Sequence, residues 1–385
     1  MSDILREPMR ICIVSHAAYG ALFGGRTGQP GGVERQTSML ARWLAARGHS
    51  VSFVTWDEGQ PDEQVVDGVR VLKTCRSDEG IPGLRFFYPR WYSLDRALAK
   101  ADAQVYYHNC GEDVTGQVAL WCSRHRRRFV FSSAHDNDCD RRLPGLPALR
   151  ERLLYRYALT HAHKLIVQTD RQQAMLRSGF GLTSVVLPMP CPGPSEAEYV
   201  PPPVPTAQTA RVLWVGRIVK AKRLEWLLEV AGTLPTVAFQ VAGVPDVDDD
   251  YSGATLERAR RCPNVSILGR VAREDMPSLY RSAALLCCTS STEGFPNTFL
   301  EAWGHGVPLV TTFDPDDLVA ARGLGLAATD PEGLAEAIRR LASDPDLWNR
   351  LSANSRRHFL ENHAVEPVMR RYEQILLDQS RGTSG

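Results

Sequence analysis

The chain alternates two patterns. Short runs of Val, Leu and Ile are separated by longer stretches in which apolar residues recur every three or four positions. The first pattern predicts buried strands, the second amphipathic helices. RICIVSH (10–16) is followed by the glycine-rich AAYGALFGGRTGQPGG, then VERQTSMLARWLAARGH at helical spacing with a stop at Gly48, then VSFVTW. Strand, loop, helix and strand in that order make a βαβ unit, the building block of parallel sheets. Further strands are predicted at 69–73, 104–108, 128–133 and 164–169, and helices at 114–125, 147–163 and 170–178. From residue 211 the alternation is plainer. RVLWVGR, VAFQVAGV, VSILGRV, ALLCCTS and PLVTTF predict strands. RLEWLLEVAGTL, GATLERARR, REDMPSLYRSA, NTFLEAWGHG and EGLAEAIRRLASD predict helices.

Between the halves lies LPMPCPGPSEAEYVPPPVP (187–205). Proline lacks an amide donor and fixes φ, so this density excludes helix and sheet interior and predicts an extended linker. The expected organisation is a domain over 1–190, a linker over 191–208 and a domain over 209–364. A helix near 365–380 is expected to pack back on the first domain. The fold class is α/β, with two Rossmann-like domains expected to face each other across a cleft. Ligands of such sheets bind beyond the carboxyl ends of the strands.

Composition narrows the function classes. The chain has 385 residues, 43% hydrophobic and 23% charged, enough apolar mass for two cores. A net charge of +1 gives no uniform attraction to nucleic acid. The apolar run Ile11–Val14 is too short for a signal-peptide core, and no run approaches a membrane-spanning length. The C-terminal QSRGTSG reads as frayed. The nine cysteines are odd in number and lack CxxC or zinc spacing, which predicts reduced, mostly buried thiols in a cytosolic protein.

The stretch STEGFPNTFLEAWGHGVPLVTT (291–312) carries Glu293 and Glu301 with seven residues between them. On one continuous helix they would lie about 80° and about 12 Å apart, a poor pair. Gly294 and Pro296 argue instead for a helix starting near Asn297, with Asn297 as cap or Pro296 as a first-turn residue. Glu293 then sits in the loop after a strand, able to fold back over the helix N-terminus, and Glu301 sits one turn into the helix. The amides of 294–298 would favour an anion. Amide donors for a phosphate and carboxylates for hydroxyl groups suit a nucleotide sugar. The plainer reading makes Glu293 a solvated loop acid and Glu301 a helix-surface acid. Upstream, WVGRIVKAKRLEWL puts Arg217 at a strand end and Lys222 at the mouth of the next helix, a fork and a point charge suited to a diphosphate. Lys220 and Arg223 stand near enough to compete, without a positional argument of their own.

VGRIVKAK, TSSTEGFPNTFLEAWGHGVPLVTT and GGVERQTSMLARWLAARGH together resemble family 4 of the retaining glycosyltransferases, which have the GT-B fold. The resemblance covers nearly the whole chain and leans toward transferases of bacterial surface polysaccharides. It implies a UDP- or GDP-sugar donor, no metal or other cofactor, and a glycan, lipid-linked or small-molecule acceptor. Arg217 and Lys222 would hold the donor phosphates, Glu293 the donor sugar and Glu301 the ribose hydroxyls. Amides around Gly294, Phe295, Asn297 and Thr298 would meet sugar and phosphate. Gly31 and Gly32 would approach the diphosphate. Arg270 and Val271, in LGRV (268–271), would lie by the base. His135, after RFVFSS, would stand near the reaction centre; its bland alternative is a loop histidine. The segment FDPDDLVAARGLG departs from the family's usual Gly-Gly-x-x-Glu, and LPMPCPG replaces a common Asn-Gly turn.

Weaker signals remain. Asp136 and Asp138 have D-x-D spacing, but two nearby acids do not guarantee a hard-metal site, and both read as loop charges available to acceptor hydroxyls. The glycines of GGRTGQPGG match neither a dinucleotide fingerprint nor a P-loop. RHRRR (124–128) and the stretch 141–164 concentrate Arg141, Arg142, Arg150, Arg152 and Arg156 beside Leu153, Leu154, Tyr155 and Tyr157. The bland reading is a solvated helix face. The sharper one is a patch for an anionic membrane surface on the cytoplasmic side. Rival functions are a GT-B nucleotide-sugar epimerase and a catalytically silent nucleotide-sugar-binding scaffold.

Overall fold

The computed structural model describes residues 8–23, 31–206, 208–246 and 249–380. Part of the glycine-rich stretch, residue 207, residues 247–248 and both termini lie outside them. The chain divides into two compact units, 1–189 with 368–385, and 190–367.

In the first unit the strands are β1 (Arg10–Val14), β2 (Ser50–Thr55), β3 (Glu63–Val66), β4 (Val69–Lys73), β5 (Val105–Asn109), β6 (Arg128–Ser132), β7 (Lys164–Val167) and β8 (Val185–Val186). They form one sheet in the order β3-β4-β2-β1-β5-β6-β7-β8, parallel except for β3 against β4. The apolar runs are explained by cover on both faces: Cys12, Val14, Tyr106 and Phe131 all lie in one buried core with Val118 and Tyr155 from the helices. Helix Gly32–Ala46 stops at Arg47, and Gly48 follows at φ 90°, a left-handed position natural to glycine. The hairpin β3–β4 is absent from the sequence reading, although its signal is there. Asp67 and Gly68 both have positive φ and join β3, which alternates in burial, to β4, in the two-residue turn that Asp-Gly favours. Helix Tyr92–Ala101 was also not predicted; it buries Leu94, Ala97, Leu98 and Ala101.

In the second unit the strands are β9 (Arg211–Val215), β10 (Ala238–Ala242), β11 (Val265–Gly269), β12 (Leu285–Cys288), β13 (Leu309–Thr311) and β14 (Gly325–Ala327). Their order is β11-β10-β9-β12-β13-β14, and every pairing is parallel. This is a doubly wound sheet whose order reverses between β9 and β12, and the crevice at such a reversal is where ligands bind. Val212, Trp214, Phe239, Leu285, Ile338 and Trp348 fill the core. The Trp348 indole is satisfied by donating to the Ala284 carbonyl at 2.7 Å. The proline-rich stretch is anchored at its start: the Leu187 amide donates to Val167 O, and the Cys191 amide to His363 O. Helix Val365–Leu377 passes from the second unit into the first at Val368. There Glu373 accepts from His49 at 2.9 Å and Tyr372 packs edge-on against Tyr107. All nine cysteines are free, seven of them buried. Among the described residues no helix is long and apolar enough to cross a membrane.

Two histidines in the first unit are buried at strand ends. His108 on β5 bonds Val14 O at 2.8 Å through Nδ1, and His16, after β1, stacks on Trp56 at 3.9 Å. Burial lowers both, His16 to about 3 and His108 to about 4. The folded protein therefore resists a proton that the unfolded chain takes up near pH 6.5, so stability is full above that pH and falls as pH drops toward 4. Each such histidine removes about 1.4 kcal/mol for every pH unit below the unfolded value. Thermal melts at pH 7, 6 and 5 should show this decline, and His108→Asn, which keeps a donor for Val14, should make it shallower by one histidine's share.

Candidate active site

The site of the second unit is built where β9 and β12 end, on either side of the order reversal. After β9 the chain runs through Gly216 and Arg217 into a tight turn, Lys220–Lys222, before helix Leu224–Thr233. The ends of β9 and β10 approach so closely that a Cβ on Gly243 would lie 1.8 Å from Gly216 O, so only glycine fits there.

After β12 comes the acidic loop, stitched to this turn. Thr289 is fully buried; its hydroxyl donates to Lys222 O at 2.6 Å and accepts from Trp214 Nε1 at 3.0 Å. The Ser291 amide donates to Ala221 O at 2.8 Å. Arg223 donates from Nε to Thr289 O at 2.7 Å and from one terminal nitrogen to Ser290 O and Thr312 Oγ1, both at 2.9 Å. Its guanidinium also stacks on Trp226. Arg223 does not compete with Lys222 for a ligand; it fastens the loop.

With the loop so held, Lys222 Nζ donates to Glu293 Oε1, which also accepts from the Ser290 hydroxyl at 2.6 Å. The Glu293 carboxylate thus turns to the basic turn and not over the helix N-terminus, as the spacing suggested. Helix Asn297–Gly304 does begin at Asn297, but Pro296 takes the cap position and no side chain caps it. Among the described residues no acceptor meets the amides of Gly294, Phe295, Asn297 and Thr298. Unpaired first-turn amides of this kind are an anion-binding arrangement. Glu301, in the second turn, accepts from Tyr280 at 2.7 Å through Oε2. Tyr280 is fully buried and its phenol is held well above the usual range, first by burial and then by Glu301, so it remains a hydrogen-bond donor. Glu301 Oε1 has no donor among the described residues.

Arg217 is not paired with either glutamate. It makes an ion pair with Asp246 at 2.5 Å, both exposed. Arg270 and Val271 follow β11, exposed and half-buried. Phe295 rests between Trp303 and His363. In the departing segment Asp314 accepts from the amides of Val319 and Ala320, and Asp316 and Asp317 both adopt positive φ.

The remaining predicted residues belong to the first unit. Gly31 caps helix Gly32–Ala46, and a Cβ there would strike the Glu34 carboxylate at 2.5 Å. His135 caps the short turn Asp136–Asp138, its Nδ1 accepting from the Asn137 amide. The reading of Asp138 as a loop charge is corrected. Asp138 is buried, it accepts from the amides of Ala134 and His135 at 2.7 and 3.0 Å, and burial raises its pKa. It is a latch that shapes the loop carrying His135. Asp136 pairs with Arg171 at 3.2 Å. Among the described residues no group of three or more His, Cys, Asp or Glu could hold a metal ion.

Known proteins place this geometry. Residues 31–191 match the family described as glycosyl transferase 4-like domain, and residues 209–344 the family described as glycosyl transferases group 1. The D-inositol 3-phosphate glycosyltransferase of Mycolicibacterium smegmatis is 29% identical, over 97% of this chain and 93% of that protein. The sucrose-phosphate synthase of Thermosynechococcus elongatus superposes with a TM-score of 0.72 at 19% identity, over 96% of this chain and 98% of the other. HepE of Anabaena, solved with UDP and glucose, superposes with a TM-score of 0.71 at 16% identity, over 96% and 99%. The chain belongs to the family-4-type glycosyltransferases and has the GT-B fold.

The stitching predicts a specific defect. Arg223→Ala should release the acidic loop, so that amide exchange at 289–293 quickens at least tenfold and stability falls by about 2–4 kcal/mol. Arg223 lies at φ 47°. Arg223→Gly loses the same hydrogen bonds without left-handed strain, and should therefore melt above Arg223→Ala by about 1 kcal/mol.

Proposed function

We propose that this glycosyltransferase retains anomeric configuration, taking its sugar from UDP- or GDP-sugar and giving it to a hydroxyl of a glycan, lipid-linked or small-molecule acceptor. The observation that carries the reading is the junction of Lys222, Glu293 and the unpaired amides of Gly294, Phe295, Asn297 and Thr298 at the sheet's order reversal. The diphosphate sits on those amides, with Lys222 and Arg217 beside it. Each first releases a carboxylate partner, Glu293 or Asp246. Glu293, freed, accepts from donor-sugar hydroxyls. Glu301 Oε1 accepts from the ribose, while Tyr280 holds the other oxygen. HepE of Anabaena, solved with UDP-glucose, supports a nucleotide-sugar donor.

Charge grows on the leaving diphosphate as the glycosidic bond breaks, and fixed donors aimed at it lower the barrier. No metal is assigned: the two cations and the helix amides take that charge. Nor is any side chain assigned as nucleophile. The departing phosphate oxygen accepts the proton of the attacking hydroxyl on the same face of the sugar, which preserves configuration. Polysaccharide or glycoconjugate assembly at the cytoplasmic side is the setting this reading favours.

Incubation with a panel of UDP-, GDP- and ADP-sugars, with products followed by NMR, tests the proposal. A retained anomeric signal supports it. An inverted product, or release of a free epimeric sugar without acceptor, overturns it. Glu301→Ala should weaken donor-nucleotide binding about 10- to 150-fold, the worth of a hydrogen bond to a charged group. Arg217→Ala should lower turnover more than it weakens nucleoside monophosphate binding, because its charge matters most in the transition state.

A further inference from the structure

The cationic stretches at 124–128 and 141–164 do not themselves form an open apolar surface. Arg127 pairs with Asp102 at 2.6 Å, Arg128 donates to Asp378 O, and Tyr155 is fully buried. Most of the first unit's exposed apolar side chains gather in another segment. Ile81, Leu84, Phe87, Tyr88 and Tyr92 are 68, 62, 55, 68 and 54% exposed, all within one twelve-residue segment. Phe86 anchors that segment in the fold, and Arg150 lies over its ring at 4.4 Å. Arg150 belongs to helix Leu149–His161, so that contact sets beside the segment two more exposed residues, Leu149 and Leu153, at 72 and 56%.

The segment is an exposed turn with Phe86 and Pro89 buried beneath it. Gly80 and Gly83 carry positive φ, and the chain then tightens through Phe86–Trp91 into helix Tyr92–Ala101. Phe87 stacks on Trp91 and Tyr88 leans on Tyr92, so the aromatic rings hold one another outward. An exposed apolar cluster of this size marks an interaction surface.

Its rim decides the partner. Arg85, Arg96 and Arg150 stand around it, with Arg96 over Tyr92, while Arg90 turns inward onto Ser77 O and the Trp56 ring. Of the acids nearby, Asp78 is paired with Arg76 at 3.2 Å, Glu79 accepts from the Arg76 amide, Asp95 is half-buried, and Glu151 is largely buried beside Arg150. Leu, Phe and Tyr within a cationic rim match a lipid surface, where apolar groups enter the acyl boundary and arginines meet anionic headgroups.

We propose that the turn 81–92, with Leu149 and Leu153 beside it, docks this protein on an anionic bilayer. The inference does not rest on the donor, the acceptor or the stereochemistry proposed above, and its test reads no activity.

Flotation of the full chain with phosphatidylcholine vesicles, with and without phosphatidylglycerol, decides it. Binding should need the anionic lipid and weaken as salt is raised, since screening shortens the reach of the arginines. Leu84→Ser/Phe87→Ser/Tyr88→Ser, all at exposed positions, should lose at least tenfold of that binding with an unchanged melting temperature. Arg96→Gln and Arg150→Gln, with the apolar residues intact, should each lose about fivefold. Three results overturn the proposal: flotation with neither vesicle, equal flotation with both, or wild-type flotation by the triple variant. A dimer in sedimentation that the triple variant dissolves also overturns it, and assigns the surface to a second copy of the chain.

Discussion

One guanidinium holds the second unit's site in shape. Arg223 occupies the left-handed region, which costs a non-glycine residue about 1–2 kcal/mol. Its three charge-assisted hydrogen bonds to Thr289, Ser290 and Thr312 are each worth about 1.5–3 kcal/mol, so the strain is outweighed. Lys222 then meets Glu293 across a sequence gap of 71 residues. Without that clamp the two would be a surface lysine and a loop acid, as each looks when taken alone.

Much of this was legible in the chain, for definite reasons. Strands covered on both faces must be apolar throughout, so β1, β9 and β12 stand out as unbroken runs. Gly294 and Pro296 cannot continue a helix, which fixed the helix start at Asn297. What stayed hidden was set by tertiary partners. Nothing local says that Arg223 finds three oxygens from two other segments, or that Tyr280 orients Glu301. Asp138 looked like a solvent-facing acid because a polar loop is its sequence context; the backbone amides that bury it come from the fold of that loop itself. The turn at 81–92 was passed over because its aromatics have neither strand nor helix period.

The two units repeat one plan with different emphasis. In each, the sheet order reverses beside the first strand, and polar side chains collect at the carboxyl ends there. In the second unit those side chains are charged and joined by ion pairs, an arrangement that a phosphate can enter by exchange. In the first they include His16 and His108, lowered by burial, with Glu112 4.0 Å from the His108 ring.

The route of the final helix has a consequence for synthesis. Tyr372 and Glu373 complete the core around Tyr107 and His49, yet the ribosome delivers them only after the entire second unit. The unit begun first is therefore finished last. During translation its open flank must wait while a complete second sheet is made and folded, and the two folding events are ordered by the path of the chain. A nascent chain halted before Val368 would carry a closed second unit attached to an unfinished first one.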